Sequence, residues 1–200
     1  ANVGWYTIQF ANTNFNKIYS FEPVKLIYQK LLKNIELNSL KNVIPVNSGL
    51  SNENKHFEIF YDPSLTGSSS LKKLNKNFKE KVKCNFIKLD DYIGINKINK
   101  IDFLKIDVEG NELNVLLGGI KSIKKFKPIL FVELLRKWSK KFNYHPNDVI
   151  KLLAEIGYNT YVAKGDKLFL INEINDNTEE TNFFFLNKKN HLNILNDLIG

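Results

Sequence analysis

Short runs rich in β-forming residues alternate with helix-length amphipathic stretches along most of this 200-residue chain. That alternation restricts it to folds in which crossover helices join the strands of a largely parallel sheet. Trp5–Ala11 predicts a first helix and residues 17–21 a strand that closes on Glu22-Pro23. Residues 24–37 give the clearest helix, with Ile27, Leu31, Leu32 and Ile35 at helical spacing and lysines opposite. Residues 42–46 form the next strand, 56–61 an edge strand, 62–70 a Pro/Gly/Ser-rich loop, 85–89 a strand and 90–95 a helical turn. Residues 101–108 are a strand whose Ile101, Phe103, Leu104 and Ile106 argue against an edge position. Leu113, Leu116, Leu117 and Ile120 share a helical face that stops near Gly118-Gly119. Pro128 opens a buried strand over residues 129–134. Pro146 starts a helix that Gly157 ends, with Val149, Ile150, Leu153 and Ile156 on its buried face. Residues 158–163 and Lys167–Ile171 flank a hairpin-like turn at Lys164-Gly165-Asp166. A polar loop over 172–181 leads to a last strand, 182–186.

The expected fold is therefore α/β: a Rossmann-like, doubly wound, mainly parallel seven-stranded sheet with an antiparallel last strand, in a single domain over residues 1–200. The chain lacks methionine and opens in what reads as a loop, so the first strand is expected upstream of Ala1 or truncated.

Composition narrows the function classes. One cysteine, Cys84, excludes an intramolecular disulfide, and three scattered histidines argue against a histidine metal cluster, so no metal site is expected. A reducing cytoplasm fits this usage. No apolar run approaches the roughly 20 residues of a membrane span. The net charge of +8 is open to two readings, an acidic partner or coding bias. Nearly all of it is lysine, with Arg136 the lone arginine, and arginine is the residue suited to bidentate phosphate contact. That argues against nucleic acid and for bias. No feature of the sequence sets an oligomeric state.

Two clusters carry chemistry. Ala1-Asn2-Val3-Gly4-Trp5-Tyr6-Thr7 is a small-residue turn running into a helix, where glycine permits close backbone approach and the helix start attracts anions. Glu22 closes the next strand at about the 20-residue distance at which such folds grip ribose hydroxyls. The alternative for Glu22 is a solvated strand-end acid. The second cluster is the run from Ile101 to Glu112. In an alternating strand Lys105, Asp107 and Glu109 point the same way, and three charges beside a buried strand are costly unless they pair or meet a ligand. Gly110 permits a tight exit and Glu112 sits in the first turn of the next helix. A surface ladder of ion pairs on an edge strand is the competing account. Glu133, in the next buried strand, either points into the same crevice or bonds a backbone amide.

These residues resemble the FkbM family of methyltransferases. The matching pieces are the loop from Ala1 to Thr7, Ser20-Phe21-Glu22-Pro23, Leu89-Asp90-Asp91-Tyr92, the stretch from Phe103 to Glu112, Pro128 through Glu133, and Gly157-Tyr158. Lys105-Ile106-Asp107-Val108-Glu109-Gly110 is the most specific of them. The family's loop carries an aspartate and a glycine before the position of Ala1, which this chain lacks. The resemblance implies a class I S-adenosyl-L-methionine fold and methylation of a hydroxyl, commonly on a sugar, glycolipid or polyketide-like acceptor. It implies cofactor contacts at Asn2, Gly4, Trp5, Tyr6, Glu22, Pro23, Ser48, Gly49 and Asp107. Trp5 and Tyr6 either stack on the cofactor or join the core. Ser48 and Gly49 follow the third strand, where a cofactor base lies in this fold.

A hydroxyl is a poor nucleophile until its proton is removed, so a general base is expected. Asp107 is the first candidate near the methyl donor, Glu109 is the next, as base or orienter, and Lys105 favours their charged forms. His145 is an alternative base or a surface residue, and Gly67-Ser68-Ser69-Ser70 either presents hydroxyls to a substrate or forms a surface loop. The competing functions are an RNA-ribose methyltransferase and a non-catalytic binding protein that keeps the fold.

Overall fold

The structure, a computed structural model, describes residues 1–61, 69–73 and 80–199. The chain divides into two compact units, Ala1–Lys88 and Leu89–Gly200.

In the first unit, helix α1 (Trp5–Ala11) leads to strand β1 (Ile18–Phe21), helix α2 (Lys25–Leu37) and strand β2 (Val43–Val46). α1 is tied to β1 by its one buried side chain, Thr7, whose hydroxyl meets that of Ser20 at 2.9 Å. β1 and β2 pair in parallel, Ile18 opposite Val43 and Phe21 opposite Val46, with α2 as the crossover. α2 buries Ile27 and Leu31 but leaves Leu32 39% exposed, so its apolar face is narrower than the spacing predicts. Strands β3 (Gly49–Leu50), β4 (Lys55–Tyr61), β5 (Ser69–Ser70) and β6 (Glu80–Ile87) form a second sheet in the order β3-β6-β4-β5. Val24 and Ile27 pack with Ile59, Cys84 and Phe86 into one core. Burial there pushes the Cys84 thiol up to about 11, with the Glu22 charge adding to it, which leaves the thiol inert.

The second unit runs α3 (Leu89–Ile95), β7 (Phe103–Ile106), α4 (Glu112–Gly118), α5 (Ile120–Phe126), β8 (Ile129–Glu133), α6 (Arg136–Ser139), a 3-10 turn (Lys140–Phe142), α7 (Pro146–Ala154), β9 (Tyr158–Lys164), β10 (Lys167–Ile171), β11 (Asn182–Asn187) and α8 (Leu192–Leu198). Its five strands follow the order β10-β9-β11-β8-β7. β7 and β8 are parallel, whereas β11 runs antiparallel to both β8 and β9. Its inward residues Phe183 and Phe185 are fully buried with Leu130, Val132, Val149 and Leu153. Asp90 of α3 accepts the backbone N–H groups of Ser122 (2.8 Å) and Lys121 (3.2 Å), satisfying orphan donors at the start of α5. No helix among the described residues is long and apolar enough to cross a membrane.

The expectation of one seven-stranded, mainly parallel Rossmann-like sheet is overturned. The described strands form sheets of two, four and five strands, and only β1–β2, β3–β6 and β7–β8 pair in parallel. The crossover pattern was real where helices separate two strands, as α2 does between β1 and β2 and as α4 and α5 do between β7 and β8. Other neighbouring strands pair antiparallel, some through connections too short for a crossover. Gly165-Asp166 turns β9 directly back onto β10. β4 is not an edge either, since it lies between β6 and β5. β7, expected inside a sheet, is the terminal strand of the five. It is also shorter than predicted, ending at Ile106. The loop expected over residues 62–70 lies outside the described residues as far as position 68, Gly67 and Ser68 included.

Candidate functional site

In the first unit the loop before α1 is built on positive backbone angles, φ 53° at Asn2 and 99° at Gly4. Gly4 is required twice over: its φ lies where side chains are disfavoured, and a Cβ would meet the Leu31 side chain at 2.7 Å. Its missing side chain thus makes room for α2. Glu22 is buried at 3% exposure and organises this loop. One carboxylate oxygen accepts the Asn2 N–H at 2.9 Å and the other the Val24 N–H at 3.0 Å. The solvated strand-end account of Glu22 is thereby excluded. Pro23 is half-buried between Glu22 and Val24.

Asn47 reaches the same place, its amide donating to the Glu22 carbonyl at 2.9 Å and the Pro23 carbonyl at 3.3 Å. Ser48 and Gly49 follow it, but both face protein. The Ser48 hydroxyl donates to the Asn85 carbonyl (3.1 Å), and the Phe86 ring fills the space beside Gly49. Trp5 is 69% and Tyr6 39% exposed, so neither is core, and Tyr6 stacks on Phe10 at 5.8 Å between centroids. Oε2 of Glu22 also faces the Ala1 ammonium at 3.5 Å, whereas Oε1 has capacity for one more donor, so the carboxylate can take a ribose hydroxyl, and Trp5 presents an exposed ring.

The second unit gathers the charged residues of the β7 motif. Lys105 Nζ lies 3.2 Å from Asp107 Oδ2 and 4.9 Å from the Phe131 ring centroid. The strand has ended by then. Glu109 (φ 55°) and Gly110 (φ 100°) form a left-handed turn, so turn geometry and not strand alternation orients Glu109. Glu133 closes β8 near Asp107. Burial raises the Glu133 carboxyl, and the neighbouring Asp107 carboxylate raises it further, against the lowering effect of Lys105. Burial also pushes Glu109 up to about 7, helped by the charges of Asp107 and Glu112 and opposed by Lys137. Glu109 and Glu133, in a cluster with Asp107, are able to hold or release a proton near neutral pH.

Two residues that carry this arrangement had no site role assigned from the sequence. Glu112, 2% exposed, accepts the N–H groups of Val108 (3.2 Å) and Gly110 (2.9 Å) with one oxygen. Its other oxygen accepts the Tyr144 hydroxyl at 2.8 Å. Burial nonetheless leaves its carboxyl raised. Glu112 was legible as a first-turn acid, whereas Tyr144 bears no spacing signal and is brought in by the fold alone. His145 is committed elsewhere: its ring accepts the Asn147 N–H and its backbone N–H meets Asp148, a capping box for α7.

Residues 1–160 match the Methyltransferase FkbM domain. The chain is 27% identical over 164 residues to the hexuronic acid methyltransferase AglP of Haloferax volcanii, across 82% of this chain and 63% of that protein. It is 30% identical over 148 residues to methyltransferase sdnD of Sordaria araneosa, across 59% of this chain and 57% of that one. Methyltransferase 1 of Beauveria bassiana is 25% identical over 136 residues, 58% of this chain and 55% of its own. The chain thus spans less than two thirds of the length of these relatives. Among solved structures, methyltransferase FkbM from Methylobacillus flagellatus KT superposes over 92% of this chain and 41% of its own, with a TM-score of 0.57 and 16% identity, a likeness of fold.

Proposed function

The chain belongs to the FkbM methyltransferase family, and from that premise we propose that it transfers a methyl group from S-adenosyl-L-methionine to a hydroxyl of a sugar, glycolipid or other small polar acceptor. The observation that carries this reading is the Asp107–Glu109–Glu133 cluster, with Glu109 poised at about 7. The similarity to a protein named as a hexuronic acid methyltransferase supports a sugar-like acceptor.

When bound, the cofactor supplies a methyl group on a positively charged sulfur. Glu22 holds the ribose hydroxyls, and the loop at Asn2, Gly4, Trp5 and Tyr6, together with Pro23, shapes the rest of that pocket. Ser48 and Gly49 border it through Asn47, which fastens that connection to Glu22-Pro23. Asp107 orients the reacting groups, with Lys105 pairing its carboxylate. Glu109 or Glu133 takes the acceptor's proton. A carboxyl near 7 suits this, because it is partly ionised at neutral pH yet basic enough to accept. Residues 1–200 act as one methyltransferase domain in the cytoplasm.

Titration calorimetry with S-adenosyl-L-methionine tests the reading on the full-length protein. Saturable binding with loss of affinity in Glu22→Ala is expected. Absence of binding at millimolar cofactor overturns the assignment.

A further inference from the structure

The second unit holds a cleft of about 930 Å³ that the cofactor loop and the carboxylate cluster leave unassigned. Its volume is in the range of small-molecule pockets. One wall is the α6 segment and the turn after it, carrying Arg136, Lys137, Lys140 and Tyr144, and the other is the loop before β11, with Thr178 and Glu179. The cleft adjoins the β7 turn by three observations. Tyr144, in its wall, bonds Glu112, which holds the Gly110 N–H. A Cβ on Gly110 would meet the Phe142 ring at 2.7 Å and the Trp138 backbone at 3.2 Å, so the α6 segment packs directly on that turn. Lys137, in the wall, acts electrostatically on Glu109.

We infer that this cleft receives the acceptor, and that the acceptor carries an anionic group, carboxylate or phosphate, beside its hydroxyls. The inference rests on the methyltransferase reading. Most acids around the cleft are engaged: Asp176 with Arg136 (2.9 Å), Glu180 with Lys164 (3.4 Å), and Asp148 with the His145 N–H (2.9 Å). Among the described residues neither Lys137 nor Lys140 forms an ion pair. The lone arginine of a lysine-rich chain stands in this wall. A guanidinium presents five N–H donors in a fork that fits a carboxylate or phosphate, and Arg136 donates to a fully exposed aspartate. Exposed pairs of that kind are weak, so an incoming anion displaces Asp176 at little cost. Thr178 and Glu179 opposite suit the hydroxyls of a polyol.

The test titrates the protein with glucuronate, glucose 6-phosphate and glucose, following dissociation constants by ligand-observed NMR. At least one anionic sugar is expected to bind about 10-fold or more tightly than glucose, and the stronger of the two identifies the anion. Arg136→Gln should remove most of that preference, and so should high salt on the unmodified protein. Lys140→Gln, at an exposed position, gives a second variant should Arg136→Gln melt early. Equal affinity for all three sugars, no binding by any, or a preference that survives Arg136→Gln overturns the inference. A cofactor titration run alongside separates the two ideas. Cofactor binding without anion preference sinks only the cleft assignment, and anion preference without cofactor binding sinks only the methyl-transfer reading.

Discussion

Asp107 has one partner of each sign, Lys105 at 3.2 Å and the carboxyl of Glu133. Asp107→Asn keeps its size and removes its charge. Turnover is expected to fall by about 10²- to 10⁴-fold if the charge orients or deprotonates the acceptor, with a much smaller change in melting temperature. A variant that methylates at the wild-type rate would move the chemistry to Glu109 or Glu133. Glu22 carries a different expectation than its position alone implies, because its oxygens already serve the Asn2 and Val24 amides. Glu22→Ala should weaken cofactor binding by about 10- to 100-fold and also lower thermal stability, since two N–H groups lose their acceptor. Unchanged affinity by calorimetry would exclude the ribose role. At this scale charges in an apolar run stand out because burying them unpaired is costly, and that is how Lys105, Asp107 and Glu109 were singled out as candidates. The residues that hold the turn beside the cluster, Glu112 and Tyr144, are separated by 32 positions in the chain, and only the packed fold reveals their bond.

The turn after β7 is the element on which the candidate site depends. It needs Gly110, whose φ of 100° and close neighbours Phe142 and Trp138 leave no room for a side chain. Gly110→Ala should destabilise the protein by more than about 1 kcal/mol, read as a lower midpoint in urea unfolding. A midpoint equal to wild type would show that the turn relaxes freely. Tyr144→Phe should act more narrowly, releasing the Glu112 oxygen without touching the turn's backbone bonds. Its expected signature is a lower kcat with an unchanged cofactor dissociation constant. Element boundaries were legible where a cap or breaker marks them, as at Pro146 and Gly157. Helix α5 escaped because the paired glycines before it read as an end, whereas Gly118 closes α4 and Gly119 starts α5, anchored by Asp90 from 31 and 32 positions away. The strand alternation that grouped Glu109 with Asp107 gave the right neighbours for a partly wrong reason, since the left-handed turn and not the pleat aims Glu109.

For the whole molecule, the raised carboxyls tie stability to pH. Glu109 has an ordinary value of 4.5 and stands at about 7 when folded, so the folded state holds its proton more tightly. Its contribution is fully present below about 4.5, declines as pH rises to about 7, and is constant above that. Melting curves of wild type and Glu109→Gln across pH 4 to 8 should therefore diverge, with the wild type losing more stability as pH rises. Parallel curves would mean that the two states bind this proton equally. Fold class was the least legible feature at this scale. A repeating strand–helix pattern fixes which elements exist, but pairing direction depends on connection length and on where the last strand inserts, as β11 does between β8 and β9.

That insertion has a consequence for how the chain is made. Synthesis proceeds from the N-terminus, and the strand that joins β8 to β9 leaves the ribosome after both of them. Until residues 182–187 emerge, β7–β8 and β9–β10 each present an unpaired flank, and the pocket for Phe183 and Phe185 stays open. Open flanks of this kind invite pairing with other nascent chains. A chain cut short before residue 182 thus holds these two strand pairs with nothing between them, and cellular quality control should clear that product.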